Sequence, residues 1–176
     1  MKFLFCGDIN SGKSTLITRL ERLIPKEPAG YITVRMPDDE YGCSYVYLYD
    51  RANPPEDIRN AAVIMKFNAD RSAEKHPELM DTLAVSYLER IPEGSLVILD
   101  EIGTLESASP LFQRELMRIL DGNYDVLASV KAQNTEFLRA VRKHPDCDLF
   151  IITPGNRDEL YEQLKDRICE GQYVQL

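Results

Sequence analysis

The sequence is short of the residues that staple a small fold or hold a metal through soft ligands. Its 176 residues include only four cysteines (Cys6, Cys43, Cys147 and Cys169) and two histidines (His76 and His144). No two cysteines form a C-x-x-C pair and no histidine lies near them at zinc-ligand spacing. That argues against a zinc ribbon, a redox motif or a disulfide framework, and predicts reduced thiols in a cytoplasmic protein. Each histidine stands alone beside a proline and is expected to be solvated. Positive charge is also scarce: 21 Lys and Arg against 29 Asp and Glu give a net charge of -8. Such a balance opposes a broad polyanion-binding surface, so nucleic acid is not the leading partner. No apolar run reaches the length of a membrane span, and Phe3 to Cys6 is too short for a signal-peptide core. No repeat or linker divides the chain, which is expected to form a single domain over residues 1–176 with a core large enough to need no staples.

What is present is a phosphate cradle. Gly7-Asp8-Ile9-Asn10-Ser11-Gly12-Lys13-Ser14-Thr15 follows the apolar run Phe3-Leu4-Phe5-Cys6, and Leu16, Ile17, Leu20, Leu23 and Ile24 then recur at helical spacing until Pro25. Strand, glycine-rich turn and helix are the context that makes Gly-x-x-x-x-Gly-Lys-Ser a P-loop rather than a chance match. The glycines permit backbone angles at which successive N–H groups converge on phosphate oxygens, and the helix N-terminus adds its positive end. Lys13, a flexible exposed cation on this reading, would reach the β- and γ-phosphates. Ser14 would place its hydroxyl on Mg²⁺.

Strand and helix signals then alternate, as expected of an α/β fold with a mostly parallel sheet between helices. Tyr31 to Met36 and Cys43 to Tyr49 read as an inserted β-hairpin about Pro37-Asp38-Asp39-Glu40. Ala62 to Phe67, Leu96 to Leu99, Asp125 to Val130 and Leu149 to Thr153 read as further strands. Helices are expected from the stripe Leu79, Leu83, Tyr87 and Leu88, from Ser109-Pro110 to Asp121-Gly122 with Ser109 as cap, at Thr135 to Arg142, and at Asp158 to Ile168. The P-loop, Asp100, Ser129 and Thr153 would then open on one edge of the sheet, where such folds place ligands.

Asp100-Glu101 is the second constellation. Side-by-side carboxylates at the end of the apolar strand Leu96 to Leu99 repel one another and gain little from burial unless a cation sits between them. Asp100 fits the Walker B acid that holds Mg²⁺, and Glu101 is placed to activate an attacking water.

These residues resemble a known family. Asp100-Glu101-Ile102-Gly103, continuing to Glu106 and Ser109-Pro110-Leu111-Phe112, is similar to the Asp-Glu-Ile-Gly signature of the cancer-related nucleoside-triphosphatase family. Gly30-Tyr31-Ile32-Thr33 resembles the family's Gly-Phe-x-Thr segment. Thr153-Pro154-Gly155-Asn156-Arg157-Asp158 resembles its Thr-Pro-x-Asn-Arg-Asp segment, and nearly the whole chain is covered in order. The resemblance implies a RecA-like P-loop NTPase fold and slow Mg²⁺-dependent hydrolysis of ATP, GTP and other nucleoside triphosphates to the diphosphate and phosphate. Thr104 stands where the family usually has Lys, and Val34-Arg35 where it has acids.

The sequence reading is therefore a triphosphatase. Gly7 to Thr15 bind the nucleotide, Lys13, Asp100 and Glu101 do the chemistry, and Ser14 and Asp100 hold the metal. Arg157 reads either as a nucleotide contact or as part of a plain helix start capped by Asn156. Ser129, Lys131 and Gln133 are candidates to sense the γ-phosphate, and the sequence does not choose among them. Arg139, Arg142 and Lys143 read as a solvated helix edge. Tyr45, Tyr47 and Tyr49 read as a half-buried hairpin face. Two alternatives stay open: a nucleotide or nucleoside kinase, and a nucleotide-dependent switch whose hairpin and tyrosine face meet a protein partner.

Overall fold

The apolar strands alternate sides, and that alternation sets the layers. The computed structural model describes residues 1–173. In it, β1 (Lys2–Cys6) sends Leu4 to one face of the sheet and Phe3 and Phe5 to the other. β6 (Leu96–Ile102) divides Val97 and Leu99 from Leu96 and Ile98, and β7 (Asp125–Val130) divides Val126 and Ala128 from Leu127. Strands apolar on both faces need cover on both. α1 (Lys13–Glu21) and α7 (Arg157–Tyr173) cover one face through Leu16, Ile17, Leu20, Leu164 and Ile168. The other is covered by α5 (Pro110–Asp121), α6 (Glu136–Arg142) and a helical run from α2 (Pro77–Leu79) through a π-helical segment (Met80–Ala84) into α3 (Val85–Glu89).

The sheet has the order β5-β4-β3-β2-β6-β7-β1-β8, with β2 Pro28–Arg35, β3 Ser44–Asp50, β4 Ala62–Phe67, β5 Ala73–Lys75 and β8 Asp148–Ile151. β2, β6, β7, β1 and β8 pair in parallel, while β3, β4 and β5 extend the sheet antiparallel. This is the three-layer P-loop architecture, and the expected hairpin of β2 and β3 is widened by β4 and β5 into a four-stranded antiparallel run. β7 separates β1 from β6. β1 and β6 therefore lie about 10 Å apart, and the P-loop and the acids leave them at the same edge of the sheet. No helix among the described residues is long and apolar enough to cross a membrane.

Several local expectations are corrected. Asp100 and Glu101 do not end their strand: β6 runs on to Ile102, and its pairing with β7 jumps from Leu99–Ala128 to Ile102–Val130, one residue longer on β6. The acids occupy a bulge, a device that re-aims side chains beside a site. Ser109 precedes α5, but its hydroxyl donates to the Pro77 and Leu105 carbonyls, both at 2.9 Å. Asp81 caps that helix instead, accepting from the Leu111 and Phe112 N–H groups at 2.9 and 3.0 Å. Asn156 turns away from α7, accepting from the Thr153 N–H at 2.8 Å and donating to the Ile151 carbonyl at 2.9 Å. His144 is 5% exposed rather than solvated. Its Nδ1 lies 3.3 Å from the Asp146 N–H and its Nε2 3.1 Å from Asp121 Oδ1, so both ring nitrogens have the partners that burial requires.

Candidate active site

The P-loop leaves β1 through two positive-φ residues, Asn10 (63°) and Gly12 (98°), and a turn in which the Ser11 N–H donates to the Asp8 carbonyl at 3.2 Å. Gly12 immediately precedes α1 in a left-handed conformation that glycine adopts without strain. Gly7 is required by crowding: a Cβ there would lie 2.3 Å from the Ile152 carbonyl oxygen and 2.9 Å from Ser11 Oγ. Lys13 differs from the expected exposed cation. It is 8% exposed, and its Nζ donates back to the Gly7 and Asp8 carbonyls at 3.0 and 2.9 Å. The ammonium thus lies over the loop whose phosphates it would neutralise.

The P-loop and the bulge face one another across a cleft of about 690 Å³, a size suited to a small-molecule ligand. Lys13, Ser14, Asp100 and Glu101 all line it. Burial pushes the Asp100 carboxyl up from its ordinary value, while a side-chain hydrogen bond from Ser14 and the charges of Lys13 and Arg51 oppose that rise. Thr33 Oγ1 donates to the Asp100 carbonyl at 2.8 Å, tying the bulge to β2. A carboxylate bonded to the hydroxyl of a P-loop serine is a hard oxygen pair of the kind that magnesium shares with phosphate oxygens and water. No cluster of three or more His, Cys, Asp or Glu side chains suited to a metal gathers among the described residues.

Of the three candidate γ-phosphate sensors, the structure brings two to the cleft. Lys131 Nζ sits 3.1 Å from Glu101 Oε2, and the Ser129 hydroxyl is buried without a partner in the cleft wall. Gln133 is exposed, and its carbonyl accepts from Arg142 at 3.1 Å. Arg142 is accordingly no solvated edge residue; it also donates to the Lys131 carbonyl and fixes the segment after β7. Arg157 lines the cleft with its stem against the P-loop, where a Cβ on Gly12 would meet its Cδ at 2.7 Å.

Sequence reasoning gave Glu106 no role. It lies on the short helix α4 (Thr104–Ser107), is 4% exposed, and accepts from the Gly103 N–H at 2.8 Å. Burial raises its carboxyl to about 7, against the hydrogen bond from Gly103 and the charge of Lys131. The Tyr31 hydroxyl is buried without a partner, its acidity weakened first by burial and then by Glu106, Asp100 and Glu101. A glycine followed three residues later by glutamate was the available signal for Glu106, the acidic half of a capping box. Beyond the acids the cleft continues over the antiparallel extension, past Arg35, Val46, Ile64, Met65 and Phe67.

Comparison with known proteins identifies the family and the fold. A family model described as NTPase matches residues 2–165. Nucleoside-triphosphatase THEP1 of Thermotoga sp. (strain RQ2) is 27% identical over 169 residues, covering 93% of both chains. That of Methanothermobacter thermautotrophicus is 28% identical over 181 residues, covering 98% of both. The fold matches the crystal structure of THEP1 from the hyperthermophile Aquifex aeolicus with a TM-score of 0.71 at 22% identity, over 93% of this chain and 96% of that one. It matches the solution structure of a human cancer-related nucleoside triphosphatase with a TM-score of 0.64 at 17% identity, over 95% and 96%. With the model matched from the start of β1 into α7, and the Asp100-Glu101-Ile102-Gly103 signature at the cleft, the chain belongs to the NTPase family.

Proposed function

We propose that this protein hydrolyses nucleoside triphosphates, ATP and GTP among them, to the diphosphate and phosphate with Mg²⁺ bound at Ser14 and Asp100. The observation that carries the reading is the meeting of a P-loop and a bulged Asp-Glu pair across one cleft. The names of the relatives support the activity.

On this reading the loop N–H groups from Asp8 to Thr15 cradle the β- and γ-phosphates, and Lys13 exchanges its two carbonyl partners for phosphate oxygens. When bound, the magnesium ion offsets negative charge that develops on the phosphates. Asp100, held by Ser14 and lodged in a partly dehydrated wall, contributes the metal-binding carboxylate. Glu101 faces the same space and takes the proton of the attacking water, while Arg157 approaches the phosphates beside Gly12.

Phosphate release from ATP, GTP, CTP and UTP, measured across a Mg²⁺ titration with and without added nucleosides, tests the reading. The expected result is saturable release that needs the divalent ion and is unchanged by nucleosides; Asp100→Asn should shift the Mg²⁺ requirement upward as well as slow turnover. Binding without release, or transfer of the phosphoryl group to a nucleoside, would overturn it in favour of a switch or a kinase.

A further inference from the structure

Lys131 is built into the cleft more firmly than an exposed lysine needs to be. Its N–H donates to the Ile102 carbonyl at 2.9 Å, and its own carbonyl accepts from Arg142, so its backbone is held from β6 and from α6. Its stem crosses Gly103, where a Cβ would lie 2.9 Å from Lys131 Cδ and 3.3 Å from Cε. Gly103 has a φ of −142°, outside the left-handed region, so contact with the lysine stem rather than backbone strain makes glycine fit here. The stem delivers Nζ to 3.1 Å from Glu101 Oε2, with the side chain 39% exposed on the cleft wall. Glu106, bonded to the Gly103 N–H beneath, adds a second carboxyl whose ionised form the same positive charge favours.

We propose that Lys131 is a positioning residue that holds the Glu101 carboxylate and also contacts the terminal phosphate of a bound nucleoside triphosphate. It thereby sets the preference for triphosphate over diphosphate. The inference rests on the triphosphatase reading above. An ammonium carries three donors, and Glu101 takes one of them. A base carboxylate beside a terminal phosphate would otherwise face like charge, and a cation shared between the two removes that repulsion while fixing their separation. A diphosphate lacks the terminal group that would reach Lys131, so its affinity should be indifferent to this residue.

The test uses the full chain and four forms: wild type, Lys131→Gln, Lys131→Arg and Gly103→Ala. Affinity for a slowly hydrolysed triphosphate analogue and for the corresponding diphosphate is measured with Mg²⁺, alongside kcat and KM. Lys131→Gln should weaken triphosphate binding by about ten- to a hundredfold while leaving the diphosphate within about twofold. It should also lower kcat, because Glu101 loses its partner. Lys131→Arg should restore most of the discrimination. Gly103→Ala, which displaces the stem but keeps the charge, should fall between. Equal losses for both nucleotides, or unchanged discrimination in Lys131→Gln, would overturn the proposal. If Lys131→Gln does not fold, Lys131→Met carries the same comparison, and unchanged discrimination there overturns it. A wild-type protein that discriminates through Lys131 yet releases no phosphate would instead remove the triphosphatase reading and leave the contact standing.

Discussion

Replacing Glu106 with glutamine should make the protein more stable at alkaline pH and leave it nearly unchanged in acid. Glu106 is 4% exposed, and burial raises its carboxyl from an ordinary value of 4.5 to about 7. The folded protein therefore holds this proton more tightly than the unfolded chain does. Stability contributed by the protonated form is full below about pH 4.5, declines as pH rises through about 7, and is lost above it. At about 1.4 kcal/mol per pH unit, that interval corresponds to about 3.5 kcal/mol. Glutamine carries no such charge, and its side-chain oxygen can still accept from the Gly103 N–H. Urea unfolding of both proteins at pH 5 and pH 8 measures the difference. Glu106→Gln should gain up to about 3 kcal/mol over wild type at pH 8, or roughly 6 to 12 °C in Tm, and under about 1 kcal/mol at pH 5. An equal loss of stability at both pH values would show that the Glu106 carboxylate is held by favourable partners and would refute the argument.

Two further substitutions probe the P-loop. Lys13→Ala removes a side chain that donates to the Gly7 and Asp8 carbonyls, so it should cost about 1 to 3 kcal/mol in a melt that stays cooperative, while phosphate release falls at least about a hundredfold; a folded variant with normal turnover would contradict the assignment. Gly7→Ala forces a Cβ to within 2.3 Å of the Ile152 carbonyl oxygen, which should destabilise by about 2 kcal/mol and spoil nucleotide binding, as thermal melting and titration with a labelled triphosphate would reveal.

The parts of this protein that the sequence revealed are those where local pattern and chemistry coincide. The run from Phe3 through Ile24 carries strand, phosphate loop and helix in one stretch, so its placement followed from spacing. Asp100-Glu101 was equally visible as a pair of acids after an apolar run. Its bulge was not, because the extra residue is defined only by register against β7. The same limit applies to Asp81, which caps α5 from the helical run that precedes β6, and to His144, whose partner Asp121 lies 23 positions away. Lys131 stood among three candidates until packing over Gly103 brought it to Glu101. Arg142 looked like a solvated charge because a helix edge shows its periodicity and not the carbonyls of the neighbouring loop. Contacts between distant positions are invisible to periodicity, and here they fix how the site is aimed.

The central claim is that Glu101 activates water in a cleft that the P-loop fills with phosphate. Glu101→Gln keeps the length and hydrogen-bonding reach of the side chain and removes its capacity to take a proton. The decisive measurement is single-turnover phosphate release from a bound triphosphate, with affinity recorded in parallel. Release should fall by about 10² to 10⁴ while the nucleotide still binds as tightly as to wild type or more so. Near-normal release from Glu101→Gln would contradict it.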